Sequence, residues 1–309
     1  MHFNGYAQNS NTSKFIYLTT DSLPNYLTQN WKFSLKDTIA NANRDCNDSA
    51  WLTANTSMQV FESPNFTFTD IVWFRYSFRT DSKLLSQPMA ISVKHLGASE
   101  IYLDGQQIKK YGTILDSAHS IYFNPQELPL VFSLKDTGKH VLAIRFANFR
   151  ALENYRLYNF STGGFNVTIG TSEQLIEHFE TRVVYSSLVL LLLIGLFIVL
   201  SLLHLLLFLF YRSNRSNLYF SLFTFFITCM VMVGYTDIMS NQPEIFLMSR
   251  FTFNISLTLA CFSLSLFVND LFVKKRGIMF WVITSIVVLI FILKLFLFTK
   301  KLYQTNNKF

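Results

Sequence analysis

The stretch V183-V-Y-S-S-L-V-L-L-L-L-I-G-L-F-I-V-L-S-L-L-H-L-L-L-F-L-F210 contains no formal charge and decides the class of the chain. A hydrocarbon core of about 30 Å needs roughly 20 apolar residues in helix. Backbone amides left unpaired in lipid cost several kcal/mol each, so such a run must be helical. Three further apolar runs, 218–235, 251–268 and 278–298, lie near the same threshold. The sequence therefore predicts a membrane bundle of four spans (183–210, 218–235, 251–268, 278–298) behind about 180 residues of mixed, polar sequence.

The net charge of +7 is distributed in a way that speaks about the membrane. Arg212 and Arg215 lie between the first two spans, and Lys274, Lys275 and Arg276 between the third and fourth. The intervening loop, 236–246, holds Asp237 and Glu244 and no basic residue; only Arg250, at the start of the third span, runs against the trend. By the positive-inside rule the basic loops are cytoplasmic, so the N-terminal domain lies outside. The rest of the positive charge is scattered, whereas a nucleic-acid footprint is clustered, and no nucleic-acid partner is expected. Of the three cysteines, Cys229 and Cys261 fall inside predicted spans and leave Cys46 alone. That excludes a disulfide framework and a cysteine-based zinc site.

Residues 1–13 read as the remnant of a signal peptide followed by a disordered start, with Gly5-Tyr6-Ala7-Gln8 resembling the end of a leader. Residues 14–170 read as short strands. In 71–79, Val72, Phe74, Tyr76 and Phe78 fall on one face and Ile71, Trp73, Arg75 and Ser77 on the other. Residues 90–95 form another strand. Ile101-Tyr102-Leu103, then Asp104-Gly105, then 106–109 spell a hairpin, because Asp-Gly supplies the positive φ angles of a two-residue turn. In 140–147, Leu142, Ile144 and Phe146 face one way. Strands at this spacing, with no helical period, predict an all-β antiparallel sandwich of the jelly-roll type. Thr171-Ser172-Glu173-Gln174 then reads as a capping box opening a connector helix, 171–182, that runs into the first span. The polar tail is 299–309.

The order Trp73-Phe74-Arg75, Tyr102-Leu103-Asp104-Gly105 with Gly112, and Gly138-Lys139-His140-Val141 leading to Arg145 resembles the galactose-binding-like jelly rolls. Those include the sugar-binding domains of β-galactosidases and β-glucuronidases. Such a domain placed directly before a membrane bundle resembles the bacterial seven-transmembrane receptors with diverse intracellular signalling modules. The resemblance implies a multi-pass protein of the bacterial inner membrane with its sensor domain in the periplasm, binding a small-molecule or carbohydrate ligand. It implies seven spans, a signalling output, and a homodimer or downstream signalling partner. This sequence reads as truncated after four spans, either a fragment or a shortened member. The alternative reading is a membrane-tethered module that binds a carbohydrate or protein without signalling output.

Trp73, Arg75 and Arg145 are the candidate ligand-binding residues, an aromatic platform beside two guanidinium forks. Their competing role is structural: Trp73 as a core anchor, the arginines paired with carboxylates at the sheet rim. Glu100, Asp104, Glu127, Asp136 and Glu153 show no spacing that singles out a catalytic pair, so no enzyme activity is expected. His95, His119 and His140 lie on separate elements and predict no metal site; no cofactor is expected. Within the spans, His204 and Lys294 are the ionisable groups to explain. His204 suits an interhelical hydrogen bond, and Lys294 suits an anchor snorkelling to the outer interface.

Overall fold

The computed structural model describes residues 16–61, 67–158, 160–273 and 277–306. Gly5–Gln8 and Lys274–Arg276 lie outside them. Eleven strands form two facing sheets: β1 Ile16–Leu18, β2 Asn25–Tyr26, β3 Trp31–Ser34, β4 Leu52–Ala54, β5 Val72–Thr80, β6 Met89–Lys94, β7 Ala98–Leu103, β8 Gln106–Tyr111, β9 Leu130–Phe132, β10 His140–Ala147 and β11 Asn166–Thr171. The larger sheet runs β4-β3-β5-β10-β7-β8, with β1 parallel to the end of β5; the smaller runs β2-β11-β6-β9. Apart from β1, every pairing is antiparallel.

Alternation decides which side chains meet between the sheets. Val72, Phe74, Tyr76 and Phe78 of β5 and Leu142, Ile144 and Phe146 of β10 face Ile91, Val93, Val167 and Ile169 of the smaller sheet. Phe165 sits among them, its ring centroid 5.5 Å from Trp31, 5.1 Å from Phe74 and 5.1 Å from Phe146. Gly164 lets it enter, since a Cβ there would meet the Thr56 carbonyl oxygen at 2.0 Å. The expected hairpin is present, with Asp104 at φ 51° and Gly105 at φ 87° between β7 and β8. Both central residues lie at positive φ, which the right-handed twist of the strands demands.

One expectation for this region is corrected. Residues 151–158 form helix α1, Ala151–Tyr158, where the sequence showed no helical period. Two turns are too short for a 3.6-residue repeat to stand out in a window of about 11–18 residues.

Beyond β11 the capping box is formed: Thr171 Oγ1 accepts from Gln174 N at 3.3 Å, and Gln174 Oε1 accepts from Thr171 N at 3.2 Å. It opens α2, Ser172–Glu180, which passes through a π-helical turn, Thr181–Tyr185, into α3, Ser186–Phe210. The path from strand to bundle is thus continuous helix from Ser172 to Phe210. α4 Arg215–Met239, α5 Pro243–Val268 and α6 Ile278–Asn306 follow. Three helical stretches, Ser172–Phe210, Arg215–Met239 and Pro243–Phe272, are long and apolar enough to cross a membrane. The apolar part of α6, Phe280–Lys294, is shorter, so a fourth crossing does not stand on the same footing. α6 continues as helix to Asn306, through the first residues of the expected polar tail. Lys300, Lys301 and Leu302 are good helix formers, and neither Gly nor Pro interrupts the run.

Small hydroxylic residues line the helix contacts. Ser201 and Ser221 exchange reciprocal bonds between α3 and α4, each Oγ donating to the other's carbonyl at 3.0 and 2.9 Å. Thr224, Thr228, Ser256, Ala260 and Ser263 are buried, while the large side chains of α3 mostly face outward. That inversion of the soluble pattern lets backbones approach where no water drives helices together.

Candidate functional site

Register places the three sequence-predicted ligand residues on one face. Arg145 pairs with Trp73 and Ala143 with Arg75 across β10 and β5, all on the outer side of the larger sheet. That face is roofed by residues 37–51. Trp73 is buried and its Nε1 donates to Asp37 Oδ1 at 2.7 Å. Arg75 is also buried; its Nε donates to Asp48 Oδ2 at 3.0 Å and its Nη1 to the carbonyls of Asn41 and Asn43. Arg145 forms a fork on Asp37, with Nε at 2.8 Å from Oδ1 and Nη2 at 2.7 Å from Oδ2, and its Nη1 lies 3.4 Å from Glu100. The Arg145 hydrogen bonds, and next that of Trp73, hold the Asp37 carboxyl below its usual range despite burial. The structure brings the three together, but as pins that hold a loop to the sheet. With the roof in place Trp73 and Arg75 are buried, and Arg145 is partly exposed with its guanidinium held by Asp37 and Glu100.

Beside the roof lies a polar cleft of about 740 Å³ lined by Arg44, Asp104, Asp136 and His140 among others. His140 sits at its base, with Nδ1 2.6 Å from Asp104 Oδ2 and Nε2 2.7 Å from the Asp136 carbonyl oxygen. Arg44 reaches Asp136 at 3.3 Å. Asp104 Oδ1 also accepts from Val141 N at 2.8 Å, so this carboxylate ties the hairpin turn to the start of β10. Burial alone would lower the His140 pKa; its bonds to Asp104 and the Asp136 carbonyl outweigh it and hold the imidazole above its ordinary value.

Sequence reasoning missed the junction between the sandwich and the helices. Residues 124–127 rest on the turn between α4 and α5. Gln126 Nε2 donates to the carbonyls of Asp237 at 2.7 Å and Ser240 at 2.8 Å, and Asn124 N donates to Asn241 O at 2.9 Å. These carbonyls belong to the C-terminal end of α4, where intrahelical donors run out. Gln126 and Glu127 both lie in the left-handed region, at φ 56° and 59°. For residues with a Cβ that conformation costs about 1–2 kcal/mol each, and the surrounding bonds hold it in place. Arg182, in the π-helical turn, donates to the Gln126 carbonyl and lies 3.4 Å from Glu127 Oε2, while Lys94 reaches Glu127 Oε1 at 2.9 Å. Burial would raise the Glu127 pKa, but Lys94 and then Arg182 lower it further, so the carboxylate is favoured.

A second foot stands on α5. Arg150 approaches Glu244 at 3.5 Å, Phe160 packs edge-on against Phe246 at 5.6 Å, and Tyr158 Oη lies 3.9 Å from Met248 Sδ. Arg250, which ran against the charge trend, pairs with Asp237 at 3.7 Å. Its signal was available in the sequence only as a lone acid thirteen residues upstream.

Of the two intramembrane candidates, His204 of α3 bonds through Nδ1 to Asn217 Oδ1 of α4 at 3.1 Å and packs against Phe220. Lys294 Nζ donates to Thr258 Oγ1 of α5 at 2.9 Å.

Comparison with protein-family models found no match, and neither did comparison with curated proteins. Among solved structures the chain is similar in part to a glycosyl hydrolase family 2 member from Bacteroides cellulosilyticus, at 13% identity over 48% of this chain and 20% of that one, with a TM-score of 0.37. It is similar to a Bifidobacterium dentium β-glucuronidase at 13% identity, covering 51% and 32%, with a TM-score of 0.34. For an exo-chitosanase of Amycolatopsis orientalis the values are 12%, 48%, 21% and 0.35. The chain spans a fifth to a third of the length of these enzymes. Likeness at that level concerns the partial course of the backbone and says nothing of catalysis or ligand.

Two outcomes follow from the roofed face and the cleft. Arg75→Ala unpairs the carbonyls of Asn41 and Asn43 and leaves the buried Asp48 carboxylate to Lys32 alone, so it destabilises the protein by about 3 kcal/mol, and Arg145→Ala, where the lost side chain is more exposed, costs less; chemical denaturation of both variants measures the difference. His140 has its pKa raised on folding, so its contribution is full below the unfolded value of about 6.5 and is lost as pH rises through the folded value. Melting temperature should fall as pH rises above about 6.5, and His140→Gln should flatten that slope.

Proposed function

We propose that this chain is the ligand-sensing and transmembrane part of a bacterial signal-transduction receptor, with the sandwich in the periplasm and a carbohydrate as ligand. The carrying observation is that the sandwich meets the bundle at the α4–α5 turn through Gln126, while the basic α3–α4 turn with Arg212 and Arg215 lies at the other end of those helices. The turn that touches the sandwich carries Glu244 and no Lys or Arg from 236 to 246. By the positive-inside rule this orientation puts sandwich and acidic turn outside together. α6 serves as a fourth span in this reading.

The continuous helix from Ser172 to Phe210 gives a ligand-induced shift of the sandwich a route into the membrane. A π-helical turn sits where the two domains join, and Arg182 within that turn holds the sandwich loop. Such turns recur at functional positions in helices. Ligand acts on this equilibrium only through its different affinity for two junction geometries. The sandwich carries binding and the connector carries coupling, so the two are separable by mutation.

Glu177→Pro breaks α2 between its cap and the π-helical turn, removing one helical hydrogen bond and opposing helix by about 3 kcal/mol. Expressed with its native output in cells, this variant should lose the response to ligand while ligand still binds. A normal response from Glu177→Pro sinks the connector mechanism and favours a tethered binding module.

A further inference from the structure

The outer face of the smaller sheet forms a second cleft, of about 390 Å³. Register sets Tyr26, Thr168 and Ser92 side by side across β2, β11 and β6, with Asn166 and Lys94 paired in the next outward row. Their neighbours Val167, Ile169, Ile91 and Val93 point into the core, so five outward positions make a floor. Helix α2 adds a wall through Gln174, Leu175 and His178, and Glu127 also lines the space. A surface of strand that would otherwise face open solvent becomes a concave site of the size small ligands use, roughly 300–1,000 Å³.

We infer that this cleft is the ligand site of the receptor and that it takes a neutral carbohydrate; the assignment of ligand to signal rests on the function proposed above. Lys94 and Glu127, the lysine and the acid of the lining, are opposite charges paired at 2.9 Å. A cationic ligand would find Glu127 already shared between Lys94 and Arg182, and an anionic one would have to compete with Glu127 for Lys94; a neutral ring needs neither exchange. An apolar ligand would leave the hydroxyls of Ser92 and Thr168 unpaired. Tyr26 is 70% exposed on the floor and offers a flat ring face for the C–H side of a pyranose. Hydroxyl row, paired charges and aromatic face together describe a polyhydroxylated neutral ring.

The cleft also touches the junction. Glu127 bonds Lys94 through one oxygen and faces Arg182 with the other. A ligand hydroxyl that bonds Lys94 or Glu127 therefore acts on the side chain that grips the connector.

The test uses the full chain in lipid nanodiscs and a panel of glucose, galactose, mannose, N-acetylglucosamine and their disaccharides, read by calorimetry and saturation-transfer NMR. At least one sugar should bind. Tyr26→Ala should weaken it by about tenfold or more, and Thr168→Tyr, which fills the floor, should abolish it. Tyr26 and Thr168 face outward, and equal melting temperatures of the variants confirm that only the site has changed. A sugar that binds wild type, Tyr26→Ala and Thr168→Tyr alike overturns the cleft assignment and leaves the receptor reading intact. Binding of no sugar, or preference for glucuronate over every neutral sugar, overturns the ligand class. Sugar binding at the cleft together with a normal response from Glu177→Pro would sink the connector mechanism while the cleft stands.

Discussion

The carboxamide of Gln126 joins the two halves of this protein. One NH₂ group donates to two carbonyls at the C-terminal end of α4, from a loop whose backbone is held in the left-handed region at two successive residues. Helix ends leave carbonyls that must find donors, and here the donor comes from the sandwich. Because Arg182 holds the same loop from the connector side, three elements meet at one place: the sandwich, the helix entering the bundle, and the α4–α5 turn. The sandwich is thus tied to the helices at more than its chain connection.

Charge is used in two different ways around that point. Arg75 is buried against Asp48, whose other oxygen takes Lys32, and pins the roof over the larger sheet; losing the guanidinium unpairs two backbone carbonyls as well, so it behaves as a rivet. Lys94, Glu127 and Arg182 are half-exposed and share one carboxylate between two cations. Such a group can exchange partners at small cost, which suits a junction that has to shift. Where α3 meets α4 the contact relies instead on hydroxyl groups, the Ser201–Ser221 pair.

Much of the architecture was legible because it is periodic or local. The alternation in β5 and β10 fixed their buried faces, Asp104-Gly105 fixed the hairpin, and Thr171–Gln174 fixed the start of α2. What the sequence did not disclose depends on distant partners. Asp37 lies 108 residues from Arg145, and Gln126 lies 111 residues from Asp237, so nothing near Trp73, Arg75 or Arg145 announced the roof, and nothing near Gln126 announced the clasp. Short elements escaped for another reason: β2 and α1 are too brief for a period to emerge. The cleft on the smaller sheet escaped because its floor residues are ordinary outward positions until α2 lies beside them.

Hydrogen exchange on the intact protein in nanodiscs tests the clasp most directly, because local opening shows as lost protection. The account predicts that peptides covering 122–128 and 237–242 exchange slowly in the wild type, and that Gln126→Ala accelerates both together. Fast exchange of 122–128 in the wild type, or a Gln126→Ala effect confined to that loop, would contradict it.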